Sequence, residues 1–368
     1  MIDNQSESNE SQADSISFSC ANCGANLRFI AGTSMMRCNY CSHETAVPES
    51  LMPVEENNYA QMLVSLEKAA QVVEQVSIDC QQCGAVIEKL DRQLALTCPY
   101  CDSPMVSKGK TSSHIQTDAV LPFAINAKQA IPIFKRWLKS LWFAPNALKK
   151  YAKHTQKLNG MYTPYWTYDS DTLSSYTGQR GEDYYVTVTT TDHNGNRSFR
   201  RERRTRWYTA CGRVNVDFND VLILASTSLP EKYANALTPW DLDELKPYRD
   251  AYLSGYQAEH YQIGLRQGFD QAKNVMDEDI RNAIGRDIGG DRQRISTVHT
   301  RYDNIHYKSI LLPVWVSAYR YKDKVYRFLI NARTGEVQGE RPWSYMKIAG
   351  AVLGIVALIG GVYYRFNA

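Results

Sequence analysis

The feature that most limits how this chain can fold is a repeated arrangement of cysteines. Cys20-Ala-Asn-Cys23-Gly24-Ala25 is followed by Cys38-Asn-Tyr40-Cys41; sixty residues on, Cys80-Gln-Gln-Cys83-Gly84-Ala85 is followed by Cys98-Pro-Tyr100-Cys101. Both units have fourteen residues between their pairs, a glycine after the first pair and a tyrosine inside the second. A CxxC turn presents two sulfurs from one loop, and two such turns close a tetrahedron around Zn²⁺. The glycine relieves the tight turn. The spacing leaves room for two short strands that return the chain, one residue below the usual four-cysteine interval. The sequence therefore predicts two zinc ions, one held by Cys20, Cys23, Cys38 and Cys41, the other by Cys80, Cys83, Cys98 and Cys101. Four sulfurs leave no open coordination position, so the sites read as structural and not catalytic. A redox CxxC or a metal-free loop is the alternative, and equal spacing in two copies argues against it. His43 and Tyr40 lie beside Cys41, but nothing requires either as a ligand.

Eight of the nine cysteines fall in these pairs, and Cys211 stands alone. The first 17 residues are polar and acidic without an apolar stretch, which predicts a disordered leader rather than a signal peptide. Paired cysteines in a reducing compartment are metal ligands more often than disulfides.

The expected organisation is a leader (1–17), a first ribbon (18–47), a linker and helix (48–77), a second ribbon (78–108), an α+β domain (109–345) and a transmembrane helix (346–365). In the linker, Met62, Leu66, Ala69 or Ala70 and Val73 recur at helical spacing, predicting a spacer that lays one ribbon on the other. Asn126 and Gln129 form a capping box for a helix to about Leu141, with Ile133, Phe134, Trp137, Leu138 and Leu141 as its stripe and Pro132 as an awkward interior residue. Strand-like runs follow, two of them flanking Asn194-Gly195, a strong hairpin signal. A second helix is expected from about Ala251 to Asp287, its face made by Leu265, Phe269, Ala272, Met276, Ile280 and Ala283, with Gly289-Gly290 as its stop. A meander then turns at Lys322-Asp323 and at Arg333-Thr-Gly335. Pro164-Tyr-Trp166 and Pro313-Val-Trp315 each follow a helix and open a strand, which suggests a second, weaker duplication. The fold class is α+β with antiparallel strands.

Ile348 to Tyr364 contains seventeen residues and no charge, the short end of what crosses a bilayer. Trp343, Tyr345, Tyr363 and Tyr364 flank it, as interfacial aromatics do, and Gly350 and Gly354 form a GxxxG that can pack a homodimer. A buried core helix is the alternative. Arg333, Arg341 and Lys347 precede the segment and only Arg365 follows it, which places the N-terminal bulk in the cytoplasm.

Net charge is only +3, which argues against a polyanion-binding surface over the whole molecule. A local patch exists: Arg197, Arg200, Arg201, Arg203, Arg204 and Arg206 surround a single acid, Glu202, with Phe199, Trp207 and Tyr208 between them. It suits nucleic-acid phosphates, anionic headgroups or simply a solvated strand with a charged edge. Signs of an enzyme are poor. Lys108-Gly109-Lys110-Thr111 lacks the earlier glycine of a phosphate loop, and no HExxH or GxSxG occurs. Asp169/Asp171 and Asp277/Glu278/Asp279 read as a turn and a helix face, and Cys211 as a small buried residue.

Together the ribbons, TPYWTYDSDT, YLSGYQAEHY, DIGGDRQRI, LLPVWVSAYRY and NARTGEVQGERPWS resemble a group of bacterial TFIIB-type zinc-ribbon membrane proteins, over most of the chain from about Cys20 to the tail. Such proteins are often labelled as primosomal replication-restart helicase homologues; this sequence has no Walker motif or DEAH-like box, so helicase activity does not carry over. Some relatives are linked with phage-shock and flotillin-like membrane-stress proteins. The resemblance implies a non-enzymatic adaptor at the cytoplasmic face of the bacterial inner membrane, spanning it once and bound to a protein partner. The alternative is a membrane-tethered nucleic-acid-binding protein related to replication.

Overall fold

A computed structural model describes residues 18–48, 53–68, 75–80, 85–88, 95–98, 100, 103–106, 110–112, 117–145, 158–191, 197–321 and 324–367. The chain opens with a small sheet, β1 (Leu27–Phe29), β2 (Met35–Cys38) and β3 (Glu44–Ala46), in antiparallel order. Next come β4 (Asn57–Asn58) and α1 (Tyr59–Lys68), then five short strands: β5 (Gln75–Asp79), β6 (Val86–Glu88), β7 (Ala95–Thr97), β8 (Pro104–Val106) and β9 (Lys110–Ser112). Ala69, Ala70 and Val73 of the expected linker helix lie outside the described residues, and beyond them Gln75 and Val76 pair with Ser112 and Thr111 in a sheet. Among the described residues, α1 packs on long strands of the main sheet and on the helix Leu265–Ile288. Tyr59 packs on Tyr168 and Phe269, with Met62 and Leu63 beside it, while Leu66 faces solvent.

The eight strands among the remaining elements join β4 in one nine-stranded sheet. These elements are β10 (Ala119–Val120), α2 (Ala127–Ser140), β11 (Asn159–Thr191), β12 (Arg197–Leu224), α3 (Glu231–Asn235), β13 (Lys246–Pro247), α4 (Asp250–Leu253), β14 (Gln257–Ala258), α5 (Leu265–Ile288), β15 (Arg292–Tyr321), β16 (Lys324–Asn331) and β17 (Val337–Gly339); α6 (Tyr345–Asn367) closes the chain. The expected capping box forms, Asn126 Oδ1 accepting from Gln129 N–H and Gln129 Oε1 from Asn126 N–H, and the helix carries Pro132 inside it. Thr191 pairs with Arg197 across the expected Asn-Gly turn, which itself lies outside the described residues, as does the Lys322-Asp323 turn.

β11, β12 and β15 are 33, 28 and 30 residues long and form a blade. At the strand rise, Thr163 to Thr191 spans up to roughly 90 Å. The helix expected from Ala251 begins only at Leu265: α4 stops at Leu253, Gly255 takes φ +91°, and β14 pairs with β11 before α5 starts. α5 lies along the blade on Leu265, Phe269, Ala272, Met276, Ile280, Ile284 and Ile288, so Ile284 rather than Ala283 completes its buried face. Gly268 lets it approach closely; a Cβ there would stand 2.4 Å from Tyr168 Oη.

Two stretches of the chain make matching bonds. β10 runs parallel to β15, and β14 runs parallel to β11. Trp315 Nε1 donates to Ile125 O at 2.8 Å just before α2, and Trp166 Nε1 donates to Ile263 O at 2.9 Å just before α5. Ala332 O accepts from Ala124 and Ile125 N–H, as Ala225 O accepts from Gln262 and Ile263 N–H. Each tryptophan therefore grips the start of the helix that precedes the other tryptophan's strand.

Candidate metal centre

Cys20, Cys23, Cys38 and Cys41 converge. Cys20 Sγ lies 3.5 Å from Cys41 Sγ, Cys23 Sγ lies 3.5 Å from Cys38 Sγ, and all four sulfurs are within 4.8 Å of one another. A tetrahedron with Zn–S of about 2.3 Å needs S···S of about 3.8 Å, so the set fits zinc with little movement. Backbone geometry builds the site. In the first turn Gly24 N–H donates to Cys20 O and Cys20 N–H to Ala25 O, both at 2.8 Å; in the second, Ser42 N–H donates to Cys38 O at 3.0 Å and Cys38 N–H to His43 O at 2.9 Å. Both turns need a left-handed residue, Gly24 at φ +73° and Ser42 at φ +59°. Space around a Cβ at Gly24 is open, so backbone conformation alone favours glycine there.

The sulfurs are electrically unequal. The His43 amide draws Cys41 down to about 6, and the Cys41 amide lowers Cys38. Cys23 is pulled down by the Ala25 amide, yet the neighbouring thiols and burial push it up to about 12. Four adjacent thiolates repel one another, and a dication supplies the compensation that the ring lacks. The sheet around the cluster is tied to the domain: Phe29 N–H donates to Ser254 O, Ser254 Oγ to Leu27 O at 2.6 Å and Gly32 N–H to Phe123 O at 2.7 Å. Cys20, Cys38, Leu27 and Phe29 share one core with Phe134, Tyr252 and Phe328.

Of the second set, Cys83 and Cys101 lie outside the described residues. Cys80 and Cys98 are both buried in one core cluster. Cys80 N–H donates to Ala85 O and Cys98 N–H to Ser103 O, both at 2.8 Å, the same bonds that Cys20 and Cys38 make. The repeated tyrosines differ: Tyr40 is 85% exposed, whereas Tyr100 is fully buried and donates to Glu259 Oε2 at 2.7 Å. Glu259 Oε1 also accepts from Ser226 Oγ, Ser228 Oγ and Gln262 Nε2.

The six arginines lie on a hairpin arm. β15 begins at Arg292 opposite Gly181, so 182–191 and 197–206 pair only with each other. Strand alternation puts Arg197, Arg201 and Arg203 on one face and Arg200, Arg204 and Arg206 on the other. Asp183 receives Arg203 and Arg292, and Glu202 receives Arg204. Cys211 is exposed on β12, correcting the expectation of a buried residue, because the strand's outer face carries no covering layer there.

A buried ion cluster escaped the sequence. Lys308 Nζ lies 3.0 Å from Glu56 Oε1 and, as an ion pair, 2.7 Å from Asp220 Oδ1. Asp169 Oδ1 accepts the Asp220 N–H at 2.5 Å. Asp169 is thus a strand residue and not in a turn; β11 slips register there against both neighbours, and Asp220 and Asn304 take φ +54° and +49°. Burial raises Asp169, and Lys308 lowers Glu56. Lys308 and Asp220 edge a cavity of about 450 Å³ beneath Val54 and Leu245. No local spacing could have revealed a set drawn from residues 56, 169, 220 and 308.

The fold and site define a mixed α/β protein with antiparallel sheets, a four-cysteine cluster near its N-terminus and one apolar helix at its C-terminus. The chain is similar to the uncharacterized Bacillus subtilis (strain 168) protein YdjG, 29% identical over 359 residues that cover 95% of each chain. No family model matches it, and no solved structure does.

Proposed function

We propose that this chain is a membrane-anchored adaptor of the bacterial TFIIB-type zinc-ribbon kind, holding a protein partner at the cytoplasmic face of the inner membrane in response to membrane stress. The observation that carries the reading is the four-sulfur cluster, closed on itself and merged with the domain core: it organises a surface and offers no position for chemistry. A second zinc site at Cys80, Cys83, Cys98 and Cys101 is supported by the repeated backbone bonds of Cys80 and Cys98. The anchor is α6. None of its apolar stretch, Tyr345–Tyr363, is buried, which supports a span over a core helix, and a bilayer is the solvent that suits it. Gly350 and Gly354 lie on its exposed surface with open space around them, the arrangement a second copy of the helix would use.

The test is recovery of partners from solubilised membranes with wild type, Cys20→Ser/Cys23→Ser and Cys80→Ser/Cys83→Ser. Loss of the same partner in one ribbon variant, with membrane retention unchanged, supports the reading. Unchanged recovery in both removes the ribbons as docking elements.

One observation favours a second reading, nucleic-acid binding. Arginines on both faces of a two-stranded ribbon suit a groove walled by two phosphate strands better than a flat headgroup surface. Binding of duplex DNA or RNA that weakens steeply with salt, and is lost in Arg200→Ala/Arg201→Ala, would support it; no binding at low salt would refute it.

A further inference from the structure

The start of α6 is bonded to the loop that ends α2. Ser344 N–H donates to Phe143 O at 2.7 Å, and Lys347 Nζ donates to Trp142 O at 3.2 Å and to Ala144 O at 2.8 Å. These bonds set Trp142 and Phe143 beside the residues that lead into the apolar helix. Leu141 and Ala144 are buried on either side, so the loop is fastened to the core with its two aromatic rings turned outward. Trp142 is 82% exposed, Tyr345 83% and Met346 87%, and Phe143 and Trp343 are also exposed. Cations flank the group: Lys139 lies in the last turn of α2, Arg341 stands over the Trp343 ring at 4.3 Å, and Lys347 reaches the loop carbonyls.

A tight cluster of large exposed apolar side chains needs a cover. Tryptophan and tyrosine with flanking cations match the headgroup layer, where a ring buries its body and keeps its polar edge wet. Continuity with α6 chooses the occupant, because any bilayer entered at Tyr345 lies against this loop.

We propose that Trp142 and Phe143 insert into the interfacial layer of the same bilayer that α6 enters, seating the domain on the membrane at a second point in the sequence. The proposal rests on the reading of α6 as a span. Trp142 and Phe143 supply the contact, Lys139 and Arg341 favour anionic headgroups, and the Lys347 bonds fix the loop relative to the helix.

The test uses the full chain in phosphatidylcholine/phosphatidylglycerol vesicles whose acyl chains are brominated near the headgroup. Trp142 and Trp343 are the tryptophans placed to meet lipid, so Trp142→Ala should lower the quenchable emission by about half while the protein stays in the vesicles through an alkaline wash. Unchanged quenching with the protein retained overturns the proposal and leaves the span intact. Protection of Trp142 from iodide without quenching by brominated lipid also overturns it, because a protein then covers the loop. Release of the protein by the wash with no quenching at all refutes the span, and the proposal with it. Trp142 is mostly exposed, so its removal leaves the core unchanged.

Discussion

Replacing Lys308 by methionine tests how the linker is fastened to the blade. The lysine side chain is 8% exposed and contacts Glu56 and Asp220, with Asp169 hydrogen-bonded to the Asp220 amide behind them. Methionine fills similar space and removes the cation that, among the described residues, pairs with Glu56 and Asp220. Breaking a buried ion pair by removing one partner costs about 3–5 kcal/mol. Glu56 is 42% exposed at its side chain and can turn to water, which puts the expected loss near the lower limit, ~3 kcal/mol. For a chain of this size that is a fall in Tm of roughly 4 °C. The loss should depend on pH. Burial already holds Asp169 above its usual range, and losing Lys308 raises it further. A carboxyl whose folded pKa exceeds its unfolded value stabilises the fold at low pH and loses that contribution as pH rises through the folded pKa. The deficit of Lys308→Met should therefore shrink as pH falls from 7 toward 5, and Asp169→Asn in the same background should recover part of it at pH 7. Thermal unfolding of the full chain in detergent at both pH values measures this. A deficit below about 1 kcal/mol, or one that does not change with pH, would show that Lys308 does not hold these carboxylates.

Ser42→Gly should stabilise the first ribbon by about 0.5–1 kcal/mol, read as a higher midpoint for chelator-induced unfolding, because Ser42 occupies a left-handed position that Gly24 fills in the partner turn. Gly268→Ala should cost about 1–3 kcal/mol in thermal unfolding, since the added carbon meets Tyr168 Oη and Trp166 Cδ1 and pushes α5 off the blade. Metal analysis of the purified chain should give about two zinc per molecule, falling to about one in Cys38→Ser; one zinc in the wild type would retire the second site, and none would retire both.

What the sequence made legible was local. The CxxC spacing places four sulfurs together at the first ribbon, Asn126 and Gln129 cap α2 as their types require, and Gly289 ends α5. Elsewhere tertiary pairing overrides local pattern. Gln75 and Val76 continue a helical period yet lie in β5, because β9 offers them a partner strand. The region after Ala251 looks helical, but β14 is drawn into pairing with β11. Asp169 reads as a turn residue because two acids flank a serine, whereas bulges in both adjoining ladders turn it toward Lys308. The ion cluster and the bond from Tyr100 to Glu259 join residues too far apart in sequence for any pattern to signal.

The crossed tryptophans also set an order of events during synthesis. The carbonyl before α2 waits for Trp315, and the amides beside it wait for Ala332, so the first half of the domain cannot finish its hydrogen bonding until the ribosome has made residues 190 or more positions further on. Contacts of such long sequence separation close late and slowly. The nascent chain therefore carries an unfinished sheet edge from the making of α2 until Ala332 emerges, the interval in which such edges are open to misassembly, and the apolar helix is made only after these residues.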